Sequence, residues 1–505
     1  MRPNGSRLLT GAALGAIAAA ALASTALAAV PLPKPRPTVR SVVHAEIAPR
    51  PAAAPILAPA TRQHAAPAVV RKPVAAALAG STVTPQSDLQ SVESVIELVR
   101  KGSSAEAGQT VAAIGDPVAR KLAEWVYLRS ENNGASTERY RAFVSGNPSW
   151  PSQTFMRRRA EAALWDDRRD DSVVFGYFGN EQPLTAKGRL VLARALLARG
   201  ERTTAERHVR EAWRSEAMSA GLEDSVLEMF GPILSAADHK ARMDLMLYGA
   251  EQDAGFRAAK RLGGSYVALA KARNAVYRKA ANAAALLDAV PHELRSDAGY
   301  IHARVQQLRR EEKFADAARL MLSAPRDPGR LFNLDEWWIE RRLLARKMLD
   351  FNDPRTAYLI ARDAALPQRD IYKTEQEFTA GWIALRFLND PATAAQHFAR
   401  IGVGSVNPTA LARAGYWQGR AAEAMGRTQD ARRAYAAAAE QSTSYYGQLA
   451  RARLGMPQLD ISPPPAGRGR AERLEIVRAV QILYAIDEAE AAIPIFGDVG
   501  ENGDP

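Results

Sequence analysis

The sequence predicts an all-α protein, a curved solenoid or ring of stacked helical hairpins, and three observations carry that prediction. From Ser87 onward Ala, Leu and Arg fill short amphipathic segments broken every 12 to 20 residues by Gly, Asn, Asp or Pro, which is the pattern of helix, turn, helix. Several breaks share one start signal, in Asp116-Pro117, Asp353-Pro354, Asp390-Pro391 and Asn407-Pro408. There the Asp or Asn side chain can cap the free first-turn amides, and Pro stands where its missing N–H costs nothing. No stretch makes a convincing strand: even Val173 to Phe178 has apolar residues at 173, 174, 177 and 178, a helical spacing.

Before these helices the chain carries two segments of different character. Arg2 and Arg7 precede an apolar run from Leu8 to Leu22 that ends in Ala26-Leu27-Ala28, the layout of an export signal cleaved after Ala28. The run is too short and too rich in Ala and Gly for a bilayer span, which needs about 20 strongly apolar residues. Residues 29–86 are Pro, Ala and Val with scattered cations, as in Pro31-Leu32-Pro33-Lys34-Pro35-Arg36-Pro37. Missing amide donors suppress helix and sheet there, which predicts an extended, disordered basic tether.

The helical part, 87–455, has the marks of a repeat. Phe378, Trp382 and Leu385 share a face before the Asp390-Pro391 turn, then Ala394, Ala395 and Phe398 line the next segment. The following unit runs from Tyr416-Trp417 through Ala421-Ala422, turns at Gly426-Arg427, and continues with Ala431, Ala434 and Tyr435. Trp382 and Trp417 lie 35 residues apart, close to the roughly 34-residue tetratricopeptide period, so the expected fold is a TPR-like superhelix of about a dozen helix pairs. Earlier pairs, Leu190–Leu197 with Ala205–Trp213 and Ile301–Leu308 with Phe314–Met321, read as degenerate copies. Gly415, Gly419 and Ala422 fall on one stripe, which predicts that a neighbouring helix packs closely there.

Charge and cysteine narrow the function. The formal charge is +12, but two of those charges lie in the leader and a net six in residues 30–86, which leaves four for residues 87–505. So small an excess over so long a fold is no footprint of a nucleic-acid groove. The chain has no cysteine, which removes disulfides, thiolate metal sites and a lipidated N-terminal cysteine together.

No catalytic constellation emerges. The seven histidines (44, 64, 208, 239, 292, 302 and 397) form no His-Glu-x-x-His pair and read as surface or satisfied residues. Gly263-Gly264-Ser265 is followed by Tyr266 and Val267, so the nucleophile turn lacks its last glycine. Trp165-Asp166-Asp167-Arg168-Arg169-Asp170-Asp171 reads as a solvated face on which Asp and Arg pair across a helix turn. In Asp335-Glu336-Trp337-Trp338 an aromatic face beside carboxylates would suit a sugar, but tandem tryptophans in a helical repeat read as core. No catalytic, metal-ligating or cofactor-binding residue is assigned, and no cofactor is expected.

Three stretches nevertheless resemble one family, the soluble lytic transglycosylases. They are Asn147-Pro148-Ser149-Trp150-Pro151 with Arg157 to Trp165, Ala414-Gly415-Tyr416-Trp417-Gln418-Gly419-Arg420-Ala421, and Ser444-Tyr445-Tyr446-Gly447-Gln448-Leu449-Ala450. The resemblance covers about residues 87–505, with residues 456–505, beyond the Pro463-Pro464-Pro465 break, similar to the start of that family's helical linker domain. It implies a ring or horseshoe that embraces peptidoglycan glycan strands in the periplasm. It also implies a separate lysozyme-like domain, whose glutamate, in a Glu-Ser pair upstream of Gly-Leu-Met-Gln, cleaves glycan to 1,6-anhydro-muropeptides. This sequence departs from that pattern. Its only Glu-Ser is Glu93-Ser94, in the first helix, and Gly-Leu-Met-Gln does not occur.

The expected function is therefore the peptidoglycan-binding superhelix of a lytic transglycosylase, inactive alone, with glycan strands and other cell-wall proteins as partners and no nucleic acid. The alternative is a periplasmic TPR-like adaptor that binds a protein. Asn502-Gly503-Asp504-Pro505 repeats the helix-opening signal, from which a truncated reading frame is expected.

Overall fold

The computed structural model describes residues 84–249, 251–457, 459 and 475–502, all within one compact unit, Pro73–Pro505. The expected leader (1–28), nearly all of the tether (29–86), the Pro463-Pro464-Pro465 break and Asp504-Pro505 lie outside the described residues. Thr84, placed in the tether by composition, is buried and accepts a hydrogen bond from Arg478 at 3.0 Å, and the first helix begins at Gln86.

Among the described residues every regular element is helical. The start signals work as read. The Asp116 carboxylate accepts from the amides of Val118 and Ala119 at 3.0 and 2.9 Å. Asp353 and Asp390 each accept one amide at 3.0 Å, and Asn407 accepts from Thr409 and Ala410. Asp327-Pro328 opens a further short helix in the same way. The strand-like stretch lies in a helix, Asp171–Phe178.

The expected hairpins are present as Ala186–Ala198 with Arg202–Ser215, Ala298–Arg310 with Phe314–Leu322, Asp370–Arg386 with Pro391–Ile401, and Pro408–Ala424 with Thr428–Glu440. Each helix packs on its hairpin partner and on the adjoining pair. That double contact corrects one expectation. Phe378 and Leu385 lean on the core of the following pairs, around Ala394, Phe398 and Ile401, whereas Trp382 packs into the preceding core with Ile383. A helix inside a stack has neighbours on two sides, so its large apolar residues divide between them.

The small-residue stripe makes the expected close approach. A Cβ at Gly415 would stand 2.9 Å from the Ala434 carbonyl, and one at Gly419 would stand 2.4 Å from the Tyr435 ring. The tightest such position is Gly447, where a Cβ would fall 1.9 Å from the Gln441 carbonyl oxygen.

The last described helices return to the first. Ala479, Ile482 and Leu483 of Glu475–Ala485, with Ala492 and Ile495, share one buried core with Val92, Val95, Leu122, Trp125 and Trp150. Polar contacts border it: Arg100 pairs with Glu488 at 2.5 Å, Lys121 with Glu475 at 2.5 Å, and Arg478 with Asp116. The Trp150 indole N–H donates to Glu475 at 3.0 Å. The Arg100 side chain is 57% exposed, and a surface pair of that kind contributes about 0–1 kcal/mol. A fully buried Ile or Leu contributes about 1.5–3 kcal/mol, so each such residue in the seam outweighs the exposed Arg100–Glu488 pair.

Close packing at the glycines is open to test by urea denaturation. Gly447→Ala is expected to lose about 1–3 kcal/mol or more, because the obstructing atom is backbone and cannot rotate away. Gly176→Ala, in a helix with open space at its Cβ position, is expected to be neutral or to gain up to about 1 kcal/mol. Equal midpoints for the two variants would contradict this packing.

Candidate functional site

Four helices meet around a cavity of about 300 Å³ lined by Leu247, Tyr248, Gly249, Arg273, Tyr277, His302, Ala303, Gln306 and Glu336. The helix Ala236–Tyr248 ends at it, and Gly264–Tyr277, Ala298–Arg310 and Leu334–Asp350 supply the rest. Its floor is a linked set of buried polar groups. The Trp337 indole N–H donates to the Tyr248 hydroxyl at 2.9 Å. The Arg273 guanidinium lies 4.7 Å from the Tyr248 ring centroid, and the His302 ring stands edge-on to Tyr248 and Trp337 at 5.2 and 5.0 Å. Burial pushes the Tyr248 phenol well above its usual range, so it stays a neutral hydroxyl.

Charges beneath the floor balance in pairs. Asp244, buried, accepts from both Arg273 and Lys240, and Lys240 also reaches Asp297 at 2.7 Å. Burial opposes the Lys240 and Arg273 charges, but Asp244 and Asp297 outweigh it and hold both groups above their usual values. Arg309 likewise pairs with buried Glu340 at 2.5 Å. Glu336 is different. Its carboxylate has no hydrogen bond or ion pair with any described residue, and burial first, then Asp335 and Glu340, raises its pKa.

The tetrad Asp335-Glu336-Trp337-Trp338 therefore divides. Both tryptophans are core, at 2% and 0% exposure, and the Trp338 indole donates to Glu375 at 3.2 Å. Asp335 accepts the amides of Gln368 and Arg369 at 2.7 and 3.2 Å. Only the Glu336 carboxylate is uncommitted, and it alone of the four lines the cavity.

Two other readings are corrected. Asp166 to Asp171 is no single helix face, because one helix ends at Asp166, Arg168 takes a left-handed φ of 49°, and the next helix starts at Asp171. Asp166 pairs with Lys187 at 2.8 Å and Arg169 with Glu138, so the partners come from other helices. The histidines are not uniformly surface or satisfied. His208, His302 and His397 are buried. His397 is held by Glu377 and Tyr358 at 2.7 and 3.1 Å, but the Nδ1 atoms of His208 and His239 are buried without a partner among the described residues. His292 is exposed, and His44 and His64 lie outside the described residues. Glu93-Ser94 sits in Gln86–Arg100, as read.

Sequence reading also missed a cluster around Glu223. This fully buried carboxylate pairs with Arg242, Arg257 and Arg261 at 2.8, 2.7 and 3.4 Å. The i, i+4 spacing of Arg257 and Arg261 was the visible signal.

The stretches that carried the family resemblance are structural here. Trp150 is buried in the seam, and the Trp125 indole donates to the Pro151 carbonyl at 3.0 Å. Glu161, fully buried, accepts from the amides of Leu184 and Thr185 at 2.8 and 2.7 Å and from the Thr185 hydroxyl at 2.6 Å. Tyr416 packs on Tyr435 and Tyr446 at 5.7 and 5.4 Å, and the Ser444 hydroxyl caps its helix through the Gly447 amide.

No family model matches the chain, and no curated protein matches it in sequence. Among solved structures it is similar to lytic transglycosylases. An inactive mutant of Slt from Pseudomonas aeruginosa aligns at 16% identity and a TM-score of 0.48, over 81% of this chain and 70% of that one. The 70 kDa soluble lytic transglycosylase from Escherichia coli aligns at 14% identity and a TM-score of 0.46, over 82% of this chain and 66% of that one. A complex of the 70-kDa soluble lytic transglycosylase with bulgecin A gives 14% and 0.45, over 83% and 66%. The chain thus spans about two thirds of the length of these proteins.

The cavity floor has a pH signature. Burial holds His302 neutral down to about 4, whereas an unfolded-chain imidazole takes its proton near ~6.5. Stability from the neutral ring is complete above that upper value, falls as pH drops toward the lower one, and is constant below. His302→Phe, which keeps a ring against Tyr248 and Trp337, should remove on the order of 3 kcal/mol of that pH dependence. Unfolding midpoints that fall as steeply in the variant as in the parent would rule out a buried neutral His302.

Proposed function

We propose that this chain is an exported peptidoglycan-binding superhelix of the lytic transglycosylase type, which holds glycan strands in the periplasm while cleavage belongs to a lysozyme-like domain. The observation that carries this reading is that all three stretches resembling the soluble lytic transglycosylases make contacts on which the helical stack depends. Trp150 closes the seam, Gly415 and Gly419 admit the neighbouring helix, and Ser444 with Gly447 caps and seats the last hairpin. The residues that carry the resemblance are thus ones on which the stack of this chain depends. Among the described residues no helix is long and apolar enough to cross a membrane.

On this reading residues 1–28 are the leader, 29–86 the tether, 87–455 the binding superhelix, and 456–505 the beginning of a linker domain. The polymer suits such a fold, since a large stacked surface evolves its contacts independently of the hairpin core.

One observation favours the adaptor reading. Phe314, Leu322, Met348 and Phe351 line an open groove of about 640 Å³, and Phe351 is 63% exposed. An apolar groove with charged edges, here Lys313, Asp316 and Arg319, suits a protein segment.

Co-sedimentation with purified sacculi separates the readings. The chain is expected to pellet with sacculi, to release no anhydro-muropeptides from them, and to remain soluble with cellulose. A chain that stays in the supernatant with sacculi, yet cross-links to a periplasmic protein lost on Phe351→Ser substitution, would replace the glycan reading with the adaptor.

A further inference from the structure

We propose that the cavity beneath Tyr277 binds a primary alkylammonium group, with the Glu336 carboxylate as its counter-ion. Charge comes first. Lys240 and Arg273 balance Asp244 and Asp297, and Arg309 balances Glu340, which leaves Glu336 as the one lining charge with no described partner. An uncompensated half-buried carboxylate costs free energy that nothing in the fold returns. A cation seated beside it would.

The surroundings select a cation of compact shape. The carbonyl end of Ala236–Tyr248 reaches the cavity at Leu247, Tyr248 and Gly249, and the negative end of a helix dipole favours positive charge. Tyr277 is 50% exposed, so its ring is free to meet a cation or its alkyl stem. Gln306 adds a neutral side-chain amide whose oxygen can accept from an ammonium N–H. Arg273 lies against the Tyr248 ring and pairs with Asp244 below. His302, neutral against the Glu336 carbonyl at 3.4 Å, brings no competing charge.

Other occupants fit less well. Among the described residues no three His, Asp or Glu side chains gather as metal ligands. A neutral sugar would leave Glu336 without a counter-charge, and an anion would meet it directly. A cavity of about 300 Å³ accommodates an aminoalkyl side chain rather than a folded partner. Resting on the peptidoglycan reading, the source would be the free side-chain amine of a cell-wall peptide, so that the superhelix would grip the peptide stems as well as the sugar.

Isothermal titration of the full chain with N-acetyl-Ala-γ-Glu-Lys, whose only amine is the lysine side chain, tests this without polymer. Its Nε-acetyl form should bind about tenfold or more weakly. Glu336→Gln should lose the same factor for the free amine and leave the acetylated peptide unaffected. Tyr277→Ala, at an exposed position where folding is not at stake, should weaken the free amine several-fold; Asp350→Asn, an exposed carboxylate elsewhere on the same helix, should change nothing. Equal binding of the two peptides, binding of neither, or undiminished binding by Glu336→Gln would overturn the assignment.

The two readings fail separately. Chain that pellets with sacculi but does not distinguish the peptides removes the ammonium site and leaves the peptidoglycan function. Chain that selects the free amine but ignores sacculi keeps the site and removes that function.

Discussion

A helical hairpin cannot bury both of its faces, and everything in this structure follows from how the stack meets that constraint. Inside the stack each pair is covered by the next, which is why Phe378 and Trp382 on one helix serve different cores. At the ends a solenoid normally exposes an uncovered apolar face and needs capping pairs. Here the last described helices cover the first, with Ile482, Leu483 and Ile495 sharing one core with Val95, Leu122 and Trp125. The first described helices are thereby covered by the last, and this core is built from residues separated by most of the chain.

Buried charge is arranged to serve the same architecture. Glu161 ties the turn at Leu184-Thr185 to the helix Gln153–Asp166, Glu223 gathers three arginines from two later helices, and Arg242 and Arg341 donate to backbone carbonyls. In each case a buried charge meets several fixed partners, the condition under which burial is tolerated. Glu336 stands apart because it lacks them. A carboxylate left without compensation in an otherwise balanced network is a recognised mark of a functional position.

Local rules made much of this fold legible. Caps such as Asp116 and Asn407 act within three residues of themselves, and the Gly415, Gly419 and Ala422 stripe reports a single neighbouring helix, so both could be read from spacing. Contacts fixed by folding could not. The seam joins Trp150 to Glu475 across 325 residues, with no local periodicity to announce it. Asp166 and Arg169 looked like partners because they adjoin, yet a helix break turns them toward Lys187 and Glu138. Within Asp335 to Trp338 the residue types were suggestive, but only burial and hydrogen bonding separate the committed Asp335 from the open Glu336. The cavity itself draws on four helices whose residues span Leu247 to Glu336.

Closure is the claim on which the seam, its buried tryptophan and the placement of the last helices all stand. Because the chain has no cysteine of its own, Lys101→Cys and Glu490→Cys give a clean pair of sites, one on each side of the Arg100–Glu488 contact. Pulsed electron–electron spin resonance on the doubly labelled protein measures their separation directly. A single narrow short-distance population, lost when Ile482→Asp is added, is the predicted result; a broad or long-distance distribution in the parent would contradict a closed superhelix.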